Sequence, residues 1–387
     1  MASTPAIKVT LLIGTRPEAI KMAPVFLALR QCPTIETDIR LSGQHTTLCT
    51  NALADVGITR ARIIGFPPED YSLAGQASHY LQLLGRDLKK HPADLVLVHG
   101  DTSTGFIGAL AAFYAQIPVA HVEAGLRSGD MDNPFPEEAN RRLIAPLCQL
   151  LFAPTPKARD NLLKEAIAPH RIMVTGNTVV DALAVLTKRL PPLSAHPVFG
   201  RIARDGLRVV LVTAHRRENW GEPMRRICQA LMELVERFRD IAVVFPVHPN
   251  PAVHDVVHSV IPSHPRILLT DPLSYRDLIA LLRDSVLTLT DSGGIQEEAP
   301  STQTPVLVLR TVTERPEAVE SGAALLVGTD QKRIVAEGSR LLADQEYARR
   351  MILAGNPFGD GRAASRIVTG ITRWWRGESL GNDQWSP

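Results

Sequence analysis

A chain of 387 residues is too long for one ordinary core, so two domains are the starting expectation. Hydrophobic residues at 45% and charged residues at 21% fit a globular protein, and the formal charge of +2 favours no charged partner. Basic residues are scattered or paired, as in Arg141-Arg142 and Arg216-Arg217, and only 5% of residues are aromatic, so nucleic acid is not an expected partner.

The four cysteines, Cys32, Cys49, Cys148 and Cys228, are far apart and form no C-x-x-C pair, which reads as reduced thiols. The opening Met1 to Lys8 carries no basic segment ahead of an apolar one, and no apolar run approaches the roughly 18 residues of a membrane span. A cytoplasmic protein without membrane contact is the expectation.

In chain order, short β-branched runs alternate with amphipathic segments. The strands expected in the first half are Ile7 to Ile13, Thr37 to Leu41, Asp94 to Val98, Pro118 to Val122, Leu150 to Ala153 and Arg171 to Thr175. Those in the second half are Leu207 to Thr213, Ala242 to Val247, Arg266 to Leu269, Val286 to Thr290, Pro305 to Leu309 and Ala323 to Val327. Helical patterns between them imply parallel sheets in βαβ units. Leu190 to Pro197, proline-rich and aperiodic, reads as the linker. The expected architecture is α/β: two Rossmann-like doubly wound domains, residues 1–185 and 186–362, facing a cleft. A tail helix over residues 363–387, with Ile367, Ile371, Trp374 and Trp375 on one face, crosses back to the first domain. Residues beyond Gly377 read as frayed.

Polar clusters follow the strands. They are Gly14-Thr-Arg16-Pro-Glu-Ala-Ile-Lys21, His99-Gly-Asp101-Thr-Ser-Thr, His121-Val-Glu123-Ala-Gly-Leu-Arg127, Pro136-Glu137-Glu138-Ala-Asn-Arg141, Gly176-Asn177-Thr178, Ala214-His215-Arg216-Arg217-Glu218-Asn219 and His248-Pro-Asn250. Asp291-Ser292-Gly293-Gly294 follows an apolar run and precedes a helix holding Glu298; two glycines and free N–H groups at a helix start suit a phosphate, and Glu298 suits ribose hydroxyls. Each cluster has a plain alternative. Asp101 would cap the helix expected over Ser103 to Tyr114, Glu123 would pair with Arg127, Glu137 and Glu138 would suit a helix dipole, and Ser292 would be an ordinary cap. Taken together, carboxylates, a histidine and cations at one rim opposite a phosphate-binding turn are poorly explained by structure alone. No P-loop, dinucleotide fingerprint, H-E-x-x-H, zinc-deaminase signature or G-x-S-x-G elbow is present.

The segments GTRPEAIKMAP, VHGDTST, HVEAGLRSGD, PEEANR, TGNTVVDAL, VTAHRREN, PVHPNP, LTDSGGIQEEAP and TERPEAV, in this order from Gly14 to about Gly361, resemble the non-hydrolysing UDP-N-acetylglucosamine 2-epimerases of the glycosyltransferase-B fold. The resemblance implies interconversion of UDP-GlcNAc and UDP-ManNAc by anti elimination of UDP to 2-acetamidoglucal and re-addition, with no cofactor and no metal. It implies catalytic roles for Asp101, Glu123, Glu137 and His215. It assigns nucleotide and sugar binding to Arg16, Lys21, Leu278, Ser292, Gly293, Gly294, Glu298 and Arg315, with Leu278 where the family commonly has an aromatic against uracil, so that stacking there is weaker or supplied by Tyr275. A homodimer is implied as well.

Members often bind a second UDP-GlcNAc as activator, and the matching Gln44, Glu138, Arg216 and His248 are present. The family's Gln-His-Arg-(Glu or Gln) is here Gln44-His45-Thr46-Thr47, and no Lys or Arg lies between Arg62 and Arg86, so activation is expected to be weakened or lost. The rival readings are a hydrolysing epimerase that releases ManNAc and UDP, a UDP-sugar glycosyltransferase, and an idle nucleotide-sugar sensor.

Overall fold

The computed structural model describes residues 6–381 and 385–386. The chain forms two compact units, Met1–Val185 with Phe358–Pro387, and Leu186–Pro357.

The first unit is built on a parallel sheet of β1 (Ile7–Ile13), β2 (Ile35–Leu41), β3 (Arg62–Ile63), β4 (Leu95–His99), β5 (Val119–Val122), β6 (Leu150–Ala153) and β7 (Ile172–Val174), in the order β3-β2-β1-β4-β5-β6-β7. Side chains alternate across a strand, so a sheet covered on both faces needs apolar residues at every position. Accordingly Leu11, Leu95 and Leu97 join one core with Met22 and Phe26 of the helix Arg16–Arg30 and with Ile367 and Ile371 of the helix Ala363–Trp375. Leu12, Val96 and Val98 join the other, with Tyr80, Leu84, Ile107 and Ile144. The chain leaves β1 towards β2 on one side and returns to β4 on the other, so β1 and β4 flank a switch point where the loops beyond the two strands part and leave room for a ligand.

The second unit repeats the plan with β8 (Arg208–Thr213), β9 (Ile241–Pro246), β10 (Ile267–Thr270), β11 (Ser285–Thr290), β12 (Val306–Val308) and β13 (Ala324–Leu326), in the order β10-β9-β8-β11-β12-β13. Val210, Val212, Phe245, Leu287 and Leu289 pack with Leu231 and Leu234 of the helix Glu222–Arg237 and Ile334 of the helix Gln331–Ala343. Its switch point lies between β8 and β11, where Thr213 pairs with Thr290 and their hydroxyls meet at 2.6 Å.

Two expectations are corrected. The proline-rich stretch from Leu190 is not a free linker: Leu193 N–H donates to Asp284, and the carbonyls of Leu190 and Pro191 accept from Arg283, which ties it into the second unit. The two units divide between Val185 and Leu186, inside the helix Thr178–Thr187. Residues beyond Gly377 are not all frayed, because Leu380 joins the first core and buried Trp385 donates its backbone N–H to the Val174 carbonyl on the edge strand β7. The strand β3 was missed because two residues are too short to show a period.

Candidate active site

At the first switch point, Thr15 caps the helix Arg16–Arg30, which makes Arg16 its first residue and puts Lys21 one turn further on. Glu18 is almost wholly buried beneath this turn. It accepts from Gly14 N (3.0 Å), Thr15 N (2.7 Å), the Thr15 hydroxyl (2.9 Å) and the Thr102 hydroxyl (2.8 Å), so one carboxylate binds the loop after β1 to the loop after β4. Burial pushes it up to about 7 against these donors. Gly14 permits the close approach, since a Cβ there would lie 2.1 Å from the Thr104 hydroxyl and 2.9 Å from the Gln44 amide oxygen. Gln44 accepts a hydrogen bond from Thr104 at 2.9 Å.

Asp101 is not a helix cap. Thr102 takes that role by accepting from Gly105 N, which leaves the Asp101 side chain to meet Arg141 at 2.5 Å. Its carbonyl accepts from Asn140, and the preceding Gly100, at φ +63, has its carbonyl bonded by His121 Nε2 at 2.7 Å. His121 is fully buried, and burial holds its pKa down at about 3, so it acts as a neutral donor that shapes the turn.

Glu123 follows β5 in the left-handed region at φ +66, a conformation that a side chain other than glycine rarely adopts and that marks candidate functional positions. Its carboxylate meets Lys21 Nζ at 2.5 Å, Asn177 Nδ2 at 3.0 Å and His99 Nε2 at 3.8 Å. The pairing with Arg127 does not form, because Arg127 grips Glu165 instead. Glu137 is half-buried as the first residue of the helix Glu137–Leu147, and its side chain shows no hydrogen bond or ion pair among the described residues. Glu138 is fully buried. Desolvation would raise its pKa, but Ser128 N–H, Arg142 and Arg141 outweigh it and hold the carboxyl below its ordinary range.

The second switch point carries the other half of the expected residues. Ser292 opens the helix Gly293–Glu298 without capping it, so its hydroxyl remains available at the turn. A Cβ on Gly293 would lie 3.8 Å from Arg315 Cζ and 3.9 Å from Arg216 Nη2, so two guanidinium groups converge on the glycine. Arg315 is oriented by Glu297 at 2.5 Å, and Thr313 is bonded to Gln296 at 2.6 Å. Tyr275 donates to Glu298 at 3.0 Å, while Leu278 lies half-buried one turn on from Tyr275 in the helix Tyr275–Arg283. His215 and His248 stack at 5.9 Å, and burial is the main cause that lowers the His215 pKa.

Arg141, His99, Asn177 and Asp291 were not among the expected site residues, although each lies in a polar cluster or within one turn of an expected residue. Arg141, four residues on from Glu137 and so on the same helix face, was the most legible of them. Among the described residues no group of His, Cys, Asp or Glu is arranged to hold a metal ion.

Comparison with known proteins adds to this geometry. The sequence profile of a family described as UDP-N-acetylglucosamine 2-epimerase matches residues 27–372. A UDP-N-acetylglucosamine 2-epimerase of Bacillus subtilis is 45% identical over 362 residues, 94% of each chain. That of Escherichia coli K12 is 44% identical over 370 residues, 94% of this chain and 98% of the relative. The crystal structure of UDP-GlcNAc 2-epimerase from Neisseria meningitidis bound to UDP-GlcNAc superposes with a TM-score of 0.83 at 40% identity, covering 95% of this chain and 100% of that one. With two doubly wound parallel sheets and relatives matched over nearly their whole length, the chain belongs to the UDP-N-acetylglucosamine 2-epimerase family of isomerases.

Proposed function

We propose that the chain interconverts UDP-GlcNAc and UDP-ManNAc without releasing the sugar. The hydrogen on C2 has no neighbouring carbonyl to acidify it, so its removal must be coupled to loss of UDP from C1. The C2–H and C1–O bonds break in an anti elimination that yields 2-acetamidoglucal and UDP; re-addition then delivers a proton to the opposite face of C2 and re-forms the C1–O bond. Such a route needs carboxyl groups as acid and base and cations for the departing diphosphate.

The observation that carries this reading is the group at the first switch point: Glu123 held against Lys21 at 2.5 Å beside Asn177 and His99, with Asp101 held by Arg141 on the adjacent loop. In this reading Asp101, Glu123 and Glu137 exchange the C2 proton, and Arg16 and Lys21 contact the nucleotide and the reacting sugar. Ser292, Gly293, Gly294, Arg315 and His215 hold the diphosphate, Glu298 binds the ribose, and Leu278 with Tyr275 lies against the uracil. Incubation with UDP-GlcNAc in deuterated buffer should yield UDP-ManNAc labelled at C2, read by NMR at C1 and C2. Accumulating free ManNAc would favour the hydrolysing reaction, and unlabelled C2 without a manno isomer would refute epimerisation.

Substrate activation is weakened or lost in the same proposal. Gln44 is bonded to Thr104, and Glu138 is buried against Arg141 and Arg142, while Arg216 and His248 keep polar surface. Initial rates should rise hyperbolically with UDP-GlcNAc, and UDP-ManNAc alone should react; sigmoidal rates would count against it. The proposal extends to a homodimer, to be checked by sedimentation, and to a cytoplasmic setting. No helix among the described residues is long and apolar enough to cross a membrane.

A further inference from the structure

Asp291 sits where a negative charge needs a reason. It follows the last residue of β11 and immediately precedes Ser292-Gly293-Gly294, the turn proposed to hold a diphosphate, and it is fully buried. A bare carboxylate there would repel the ligand. Its Oδ2, however, accepts from His215 N, Arg216 N and Asn219 Nδ2, each at 2.9 Å, and its own N–H donates to the Thr213 carbonyl at 3.1 Å. Three N–H donors thus converge on one oxygen and hold the side chain in place beneath the turn. The other oxygen, Oδ1, is buried with no hydrogen bond among the described residues, and it faces His215 Nδ1 at 3.6 Å.

We infer that Asp291 is a positioning residue for His215: its unbonded oxygen receives Nδ1–H, fixes that tautomer, and leaves Nε2 directed at the ligand. The inference rests on the proposed role of His215 at the diphosphate. A shift of a few tenths of an ångström turns the 3.6 Å approach into a hydrogen bond, and the ring stacked on His248 supports that orientation. With Nδ1 donating inward, Nε2 accepts a proton when the imidazole charges and donates it to a diphosphate oxygen. Asp291 favours the charged ring. Burial, the Arg216 guanidinium (itself 3.8 Å from Glu314) and His248 oppose it, and burial is the largest of these effects. Asp291 thus offsets part of what disfavours the charged ring.

The test begins with the unaltered protein. Long-range nitrogen–proton NMR, with the His215 signals assigned by their loss in His215→Asn, should show neutral His215 protonated on Nδ1; protonation on Nε2 would overturn the inference. In Asp291→Asn the His215 titration should move to lower pH, and kcat should fall on the order of ten- to a hundredfold, part of the effect of a positioned acid–base group. KM should change much less, and the alkaline limb of the pH–rate profile, where the protonated imidazole is lost, should move with the titration to lower pH. An unchanged titration and profile in Asp291→Asn, with His215→Asn impaired, would overturn the positioning role. A fully active His215→Asn would instead refute the reading of His215 on which the inference rests. If Asp291→Asn does not fold, the tautomer in the unaltered protein decides the question.

Discussion

Replacing Glu18 by Gln separates the charge of this buried group from its hydrogen bonds. The amide oxygen can still accept from Gly14 N and Thr15 N, and the amide N–H can reach the Thr102 hydroxyl, which already accepts from Gly105 N. What disappears is the ionisation. The folded protein raises Glu18 from 4.5 to about 7, and at about 1.4 kcal/mol for each tenfold this amounts to about 3 kcal/mol. Because the folded pKa lies above the unfolded one, the favourable contribution is complete below pH 4.5 and is lost as pH rises through 7. Gln titrates in neither state. The stability of Glu18→Gln relative to the parent should therefore rise by about 3 kcal/mol between pH 4.5 and pH 8.

Other shifted groups, such as His121 and Asp181, are common to both proteins and cancel in the difference. Urea unfolding followed by tryptophan fluorescence is a suitable assay, because Trp374, Trp375 and Trp385 belong to the same unit as Glu18. A difference that stays flat within about 1 kcal/mol across this range would refute the reasoning.

The other predictions test the site and the tail. Lys21→Met should lower epimerisation on the order of a hundredfold, with circular dichroism unchanged, by removing the cation at Glu123; turnover within threefold of the parent would exclude that role. Gly370→Ala should lower the thermal midpoint although alanine favours helices, because its Cβ would meet Phe152 Cε1 at 2.9 Å and Met173 Sδ at 3.1 Å. The expected net cost is about 1–2 kcal/mol. Truncation after Gly377 should cost about 3 kcal/mol by removing Leu380 and Trp385, each 6% exposed, and an unchanged midpoint would restore the expectation of a frayed tail.

The linear sequence carried the periodic and local parts of the fold. β1, β6 and the helix Ser103–Tyr114 fall where short apolar runs and helix-start residues predict them, and the charged loops follow their strands. These features are legible because each depends on neighbours a few residues away. Strand order is different: that β1 lies beside β4, and β8 beside β11, is decided by crossovers of dozens of residues, and these pairings bring the clusters together.

Only tertiary structure could pair Asp101 with Arg141, send Arg127 to Glu165 rather than Glu123, bury Glu18 under two loops, and turn Asp291 towards His215. A carboxylate's partner and protonation are set by which donors surround it and how far water is excluded, and both are properties of packing between segments distant in the chain.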